Sequence, residues 1–146
     1  MFSSQIPFLV MREASYFKKV LLAVGKKSSV SVLSAVAMDI VRQFDGTLTT
    51  LTIYPPNIDK NRYAELESLP GEVEHIARSH GLTIAKQFRD GNPIKLLRSV
   101  GKDFDLMIIG YAQQNRSTFG KPDISLHLLH KAPCSILFVP WQTAGR

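Results

Sequence analysis

The chain has 146 residues, the length of about one domain, and a core of that size needs no disulfide or metal staple. Its composition, 45% hydrophobic and 21% charged with a single cysteine, Cys134, is that of an ordinary globular domain and excludes an intrachain disulfide framework. The net charge of +6 comes from bases spread along the whole chain, Arg12 to Lys102 and beyond, with no run interleaved with aromatics as a nucleic-acid platform requires.

In chain order, residues 1–16 form an N-terminal extension whose Pro7–Met11 run is apolar and strand-like. It lacks the basic leader and length of a signal core, and no apolar run approaches the ~20 residues that span a bilayer. A cytoplasmic protein, in a reducing compartment, is therefore expected. Val20-Leu21-Leu22-Ala23-Val24 is a short continuous apolar run, the pattern of a strand buried on both faces. Ser28 or Ser29 then caps a helix to about Gln43 or Phe44, with Val32, Leu33, Val36, Ile40, Val41 and Phe44 as its apolar stripe and Gly46 as its stop.

Thr47–Tyr54 reads as a second strand ending at Pro55-Pro56. Asn57–Ser68 is either a helical turn or a loop, and Pro70 opens a helix to His80, with Val73, Ile76 and Ala77 inward and Gly81 as the residue past its end. Leu82, Ile84 and Phe88 alternate as a third strand. Asn92 caps, and Pro93 begins, a helix with Ile94, Leu97 and Val100 on its apolar face. Leu106–Ile109 is a fourth buried strand, opening into a loop at Gly110; Ile124–Lys131 is a last helix and Ser135–Val139 a last strand. Strand alternates with helix throughout, which predicts a three-layer α/β domain over residues 17–141, a parallel sheet with helices on both faces, and a short tail, 142–146.

Four segments in order, Lys19-Val20-Leu21-Leu22-Ala23-Val24, Gly91-Asn92-Pro93, Asp105-Leu106-Met107-Ile108-Ile109-Gly110 and Lys131-Ala132-Pro133-Cys134-Ser135-Ile136-Leu137-Phe138-Val139, give the chain from Lys18 to Pro140 its resemblance to the universal stress protein family. The resemblance implies a Rossmann-like fold with a five-stranded parallel sheet, and commonly a homodimer through the last strands. Some members bind ATP, between an Asp ending the first strand and a Gly-x-x-Gly loop after the fourth, followed nine residues later by Gly-Ser or Gly-Thr. Glycines there let backbone amides reach phosphates, and a helix N-terminus stabilises their charge.

Carried onto this chain, that site falls on Ala23, Val24, Gly25, Ile53, Gly110, Gln113 and Ser125. Gly25 stands where the Asp would be, Gln113 where the second Gly would be, and Pro122-Asp123 near the Gly-Ser pair. A side chain at 113 and a carboxylate at 123 oppose a triphosphate on steric and Coulombic grounds. Lys26, Lys27, Arg116, Lys121 and Gly120 lie where another anion could use them. The expected function is a non-catalytic stress-response binding or regulatory module that is not a strong ATP binder and requires no cofactor; the alternative is a weak ATP or AMP sensor with a degenerate phosphate loop.

The extension Ser4–Arg12 is similar to the chain's own last strand and, on the resemblance, is the tail of a former preceding repeat. It is expected to pair with Ser135–Val139, to cover that edge and to take part in the homodimer. No metal site is expected from His127 and His130, three apart on the last helix, which lack further ligands. His75 and His80 sit toward a helix end, where a cation is favourable. Cys134 reads as a small buried hydrophobe without a base beside it, and no serine occupies a nucleophile elbow.

Overall fold

The computed structural model describes residues 8–10, 16–113 and 132–142. They build β1 (Phe8–Val10), β2 (Lys19–Ala23), a single 3₁₀ turn (Lys27–Ser29), α1 (Val30–Phe44), β3 (Thr47–Tyr54) and α2 (Lys60–Ser79). β4 (Ile84–Asp90), α3 (Pro93–Gly101), β5 (Leu106–Gln113) and β6 (Ser135–Gln142) complete them. The six strands form one sheet in the order β1-β6-β5-β2-β3-β4. Five of them run parallel, as alternation predicts, and β1 is antiparallel on the outer edge of β6, with Leu9 opposite Leu137. The expected N-terminal strand therefore exists, and it covers the edge of the last strand within the same chain.

Period-two alternation along the central strands divides the core in two. Val20, Leu22, Leu48, Leu106 and Ile108 face α1 and α2. Leu21, Leu51, Met107, Ile136 and Phe138 face α3. α1 and α2 follow successive strands that step one way across the sheet, and α3 follows the step that reverses direction, so right-handed crossovers put them on opposite faces. Burying each such aliphatic side chain contributes about 1.5–3 kcal/mol. At the amino ends, the Asp105 carboxylate accepts from the backbone N–H groups of Lys18 (3.0 Å) and Lys19 (2.8 Å), tying β5 to β2.

Several local expectations change. The buried stripe of α1 is Val30, Leu33, Ser34, Ala37, Met38 and Val41, so Val32 points outward and is 41% exposed. Ser29 makes no side-chain cap; its hydroxyl donates to the Lys26 carbonyl instead (2.8 Å). The residue that turns α1 off is Asp45, at φ 54, while Gly46 N–H closes the turn on the Val41 carbonyl (2.9 Å).

The unclear stretch before Pro70 is helical: α2 starts at Lys60, capped by the Asp59 carboxylate, which accepts from Arg62 N–H (2.8 Å). Pro70 lies inside the helix rather than at its first turn, tolerated because Leu66, Leu69, Val73 and Ala77 bury a full apolar stripe around it. Its end is as expected, with Gly81 at φ 73 and the Leu82 N–H on the Ala77 carbonyl. So is the start of α3, where Asn92 accepts from Lys95 N–H (3.0 Å) ahead of Pro93.

The loop expected to open at Gly110 does not open there. β5 continues to Gln113, pairing Gly110 with Val139 and Gln113 with Gln142, and β6 runs three residues past Val139. Pro140 is tolerated in β6 because the pairing with β1 ends at Phe138, leaving that side of the strand without a partner at 140 among the described residues.

Candidate functional site

In a parallel sheet with helices on both faces, ligands sit outside the carboxyl ends of the strands, where strand order reverses. Here that point lies between β2 and β5, since β2 leads to β3 on one side and β5 to β6 on the other. Ala23 is in register with Ile109 across β2 and β5, and Ile53 stands two residues beyond Leu51, the β3 partner of Ala23. All three side chains top the α3-side core and are only partly buried. They form an apolar floor at the carboxyl end. Val24 is buried among the α1 and α2 side chains instead, and only its backbone N–H, bonded to the Leu51 carbonyl (3.1 Å), belongs to this end of the sheet.

Gly25 is exposed, and a Cβ added to it would meet nothing within 4 Å. Its carbonyl accepts from the Arg62 Nη2 group of α2 at 3.1 Å, while Nη1 of the same guanidinium pairs with Glu65 at 3.0 Å. Arg62 is the contributor that sequence reasoning missed. It stood in the ambiguous stretch, where the Asp59 cap starts the helix that carries it to the Gly25 carbonyl beyond β2. Lys27 lies 3.7 Å from Glu72, an exposed pair worth little, and no acidic residue occupies the first turn of α1. The amino end of α1 thus keeps its positive partial charge close to Gly25.

Gly110 has a structural duty. A Cβ there would come within 3.0 Å of Trp141 and 3.1 Å of Leu33, both on the α1 side of the sheet. Its missing side chain is what lets α1 and β6 close over β5. On the same side, at the ends of β3 and β4, Tyr54 stacks on Phe88 (4.7 Å between ring centroids) and Tyr63 meets both rings edge-on. Burial, then the Asp90 carboxylate, holds the Tyr54 phenol above its ordinary range. These rings fill one another's faces and leave no slot between them.

Of the seven residues expected at the site, Ala23, Gly25 and Ile53 come together at the carboxyl ends. Gly110 and Gln113 lie in β5, and Val24 faces away. Ser125 lies outside the described residues, as do Arg116, Gly120, Lys121, Pro122, Asp123, the last helix and its histidines. Among the described residues no helix is long and apolar enough to cross a membrane.

No protein-family model and no curated protein matches the chain. Solved structures do. A universal stress protein in complex with cAMP is 20% identical, with a TM-score of 0.67 over 86% of this chain and 98% of that one. A universal stress protein from Archaeoglobus fulgidus in complex with dAMP is 12% identical, with a TM-score of 0.67 over 86% of this chain and 99% of that one. A third, from Archaeoglobus fulgidus DSM 4304, is 16% identical with a TM-score of 0.72; it matches 94% of this chain, which spans only 52% of its length. With the strand order and the opposed helices in place, these likenesses identify the architecture: the chain has the fold of the universal stress proteins.

Proposed function

We propose that this chain is a non-catalytic regulatory module of universal stress protein type, homodimeric and cytoplasmic, that acts through protein contacts and holds ATP weakly. The observation that carries the reading is the course of β5. Gly110 is clasped between Leu33 and Trp141, and the strand runs on to Gln113, where an ATP-binding member would have a glycine loop. With Gly25 in place of a carboxylate, both of the grips expected for ribose and phosphate are altered.

The apolar floor of Ala23, Ile53 and Ile109 favours a second reading, a weak adenine-nucleotide sensor. Aliphatic side chains at a carboxyl-end crevice suit the face of a planar base. The open space at Gly25 leaves room for a sugar, and the Arg62 guanidinium and the amino end of α1 favour an anion nearby. The cAMP and dAMP complexes of two proteins with this fold support the same class of ligand.

Calorimetric titration with AMP and with ATP plus Mg²⁺ tests both readings. The expected result is millimolar or undetectable ATP binding by the wild type. In Gly25→Asp, a carboxylate facing the ribose hydroxyls should tighten AMP binding roughly tenfold. Low-micromolar ATP binding by the wild type overturns the first reading, and no AMP binding by either protein overturns the second.

A further inference from the structure

The helices on the two faces of the sheet carry different charge. In α2, the acids Glu65, Glu72 and Glu74 pair with Arg62, Lys27, Arg78 and Lys86, and Glu67 adds a further negative charge. In α1, Asp39 balances Arg42. α3 has no acidic residue; it carries Lys95 and Arg98, and Lys102 caps its end. Of the acids that follow it, Asp105 is engaged with the backbone N–H groups of Lys18 and Lys19, and Asp103 is exposed. Residues 114–131 hold Arg116, Lys121 and Lys131 against Asp123, so they supply no net acidic charge.

The bases of α3 form a row. Positions 95, 98 and 102 fall within one arc of the helix, turned away from the buried Leu97 and Val100. Lys95 and Lys102 are exposed and Arg98, between them, is partly buried. Two turns of helix separate the lysines by about 10 Å. Arg89 extends the row. Ile84 and Phe88 of β4 belong to the α2-side core, so alternation puts Arg89 on the α3 side, exposed and in register with Ile53 of the α3-side core. Asp90 alternates to the other side, beside Tyr54. The turn from Arg89 to Lys95 is pinned by the bond from Gly91 N–H to the Tyr54 carbonyl (3.1 Å) and by the Asn92 cap on Lys95 N–H (3.0 Å). The backbone that carries the row is thereby preorganised.

We infer that the row of Arg89, Lys95 and Lys102 is the docking surface for a carboxylate-rich segment of a partner protein; the inference rests on the reading that the chain acts through protein contacts. Charge complementarity gives the class of partner. A lipid surface requires large apolar side chains beside the bases. The large hydrophobic side chains exposed among the described residues, Leu9, Tyr16 and Val32, all lie off α3 and β4. A single-stranded nucleic acid requires aromatic faces for its bases. Phe104, which follows α3, packs inward with Leu97 instead. Aspartate and glutamate need only held cations, as Glu74 shows within the chain by pairing with Lys86 at 2.7 Å. The span of about 10 Å is also that of roughly three residues of extended chain, so a short acidic stretch reaches both lysines.

Fluorescence anisotropy of a labelled peptide of alternating glutamate and serine, titrated with the full chain at low salt, tests the surface. A glutamine counterpart and a labelled oligouridylate are run beside it, and phosphatidylserine vesicles are read by co-sedimentation. Lys95→Gln with Lys102→Gln removes two charges from the row, and Lys18→Gln with Lys60→Gln removes two elsewhere. All four lysines are exposed, so circular dichroism melts should stay unchanged. The expected result is binding of the acidic peptide alone, lost at high salt. The row pair should weaken it roughly tenfold and the other pair by less than about twofold. Equal weakening by both pairs overturns the row as a site. Tighter binding of the oligouridylate or the vesicles overturns the acidic segment as its occupant. No binding of the acidic peptide overturns the inference, whereas the nucleotide titrations decide the functional reading separately, so the two failures are distinct.

Discussion

A single methyl group separates two glycines of this chain with opposite requirements. At Gly46 the parallel start of β3 on β2 brings Thr47 N–H onto the Lys18 carbonyl at 2.7 Å, and a Cβ on the preceding residue would run into that same carbonyl. Gly46 is thus needed for close approach, while the left-handed turn that ends α1 is taken by Asp45. Gly71, in the interior of α2, has nothing within 4 Å of its would-be Cβ and no positive φ. Gly46→Ala should therefore destabilise the fold by about 1–3 kcal/mol, because backbone must move. Gly71→Ala should stabilise it by about 0.4–1 kcal/mol, because the unfolded chain loses freedom and the helix loses none. Urea unfolding of the two variants beside the wild type checks both signs at once.

Among the elements, α2 is joined to the edge strand β4 by a charged tie. Lys86 of β4 donates to Glu74 at 2.7 Å, and Arg78 lies 3.8 Å from the same carboxylate. The Lys86 hydrogen bond, then its charge, holds the Glu74 carboxyl below the ordinary carboxylate range. A depressed folded pKa means that the native state binds fewer protons than the unfolded chain through the acid range. The stabilisation is present above the unfolded value and disappears as pH falls through the folded one. Glu74→Gln should flatten the acid limb of the stability–pH curve and change stability little below it, as denaturant midpoints at pH 7 and in the acid range would show; an unchanged slope would exclude the tie.

This helix is also where sequence reading fell short. A proline in an apolar stretch reads most simply as a helix start, and here ten residues of α2 precede it. The Asp59 cap and the Leu66–Leu69 pair carry those residues, and both signals stood in a stretch too polar for periodicity to settle. Where apolar runs were continuous or caps unambiguous, as in β2, β5 and the Asn92-Pro93 start of α3, the elements were legible. The α1 stripe was right in kind and rotated in phase, because Ser34 and Ala37, inconspicuous in sequence, are buried and Val32 is not.

On the scale of the whole molecule, the parallel sheet and its opposed helices were readable from the alternation of elements, and the extra edge strand, though not its antiparallel direction, from its likeness to the last strand. The site was readable only in part. The family resemblance, not local pattern, singled out Ala23, Gly25 and Ile53, and the fold brings them to one end of the sheet. The packing of Trp141 and Leu33 on Gly110, and the reach of Arg62 to Gly25, depend on tertiary contacts that no local pattern encodes.

Charge adds a test on this same scale. With +6 on each copy, long-range repulsion opposes the proposed homodimer. Salt should therefore tighten the dimer. Raising the ionic strength from about 0.01 M to about 0.1 M shortens the Debye length from about 30 to about 10 Å, and removes most of the repulsion between charges outside the contact. A several-fold fall in the dimer dissociation constant, measured by sedimentation at the two salt concentrations, is expected. The opposite slope would mean that the copies are held by charged pairs and would place the interface on a charged part of the surface.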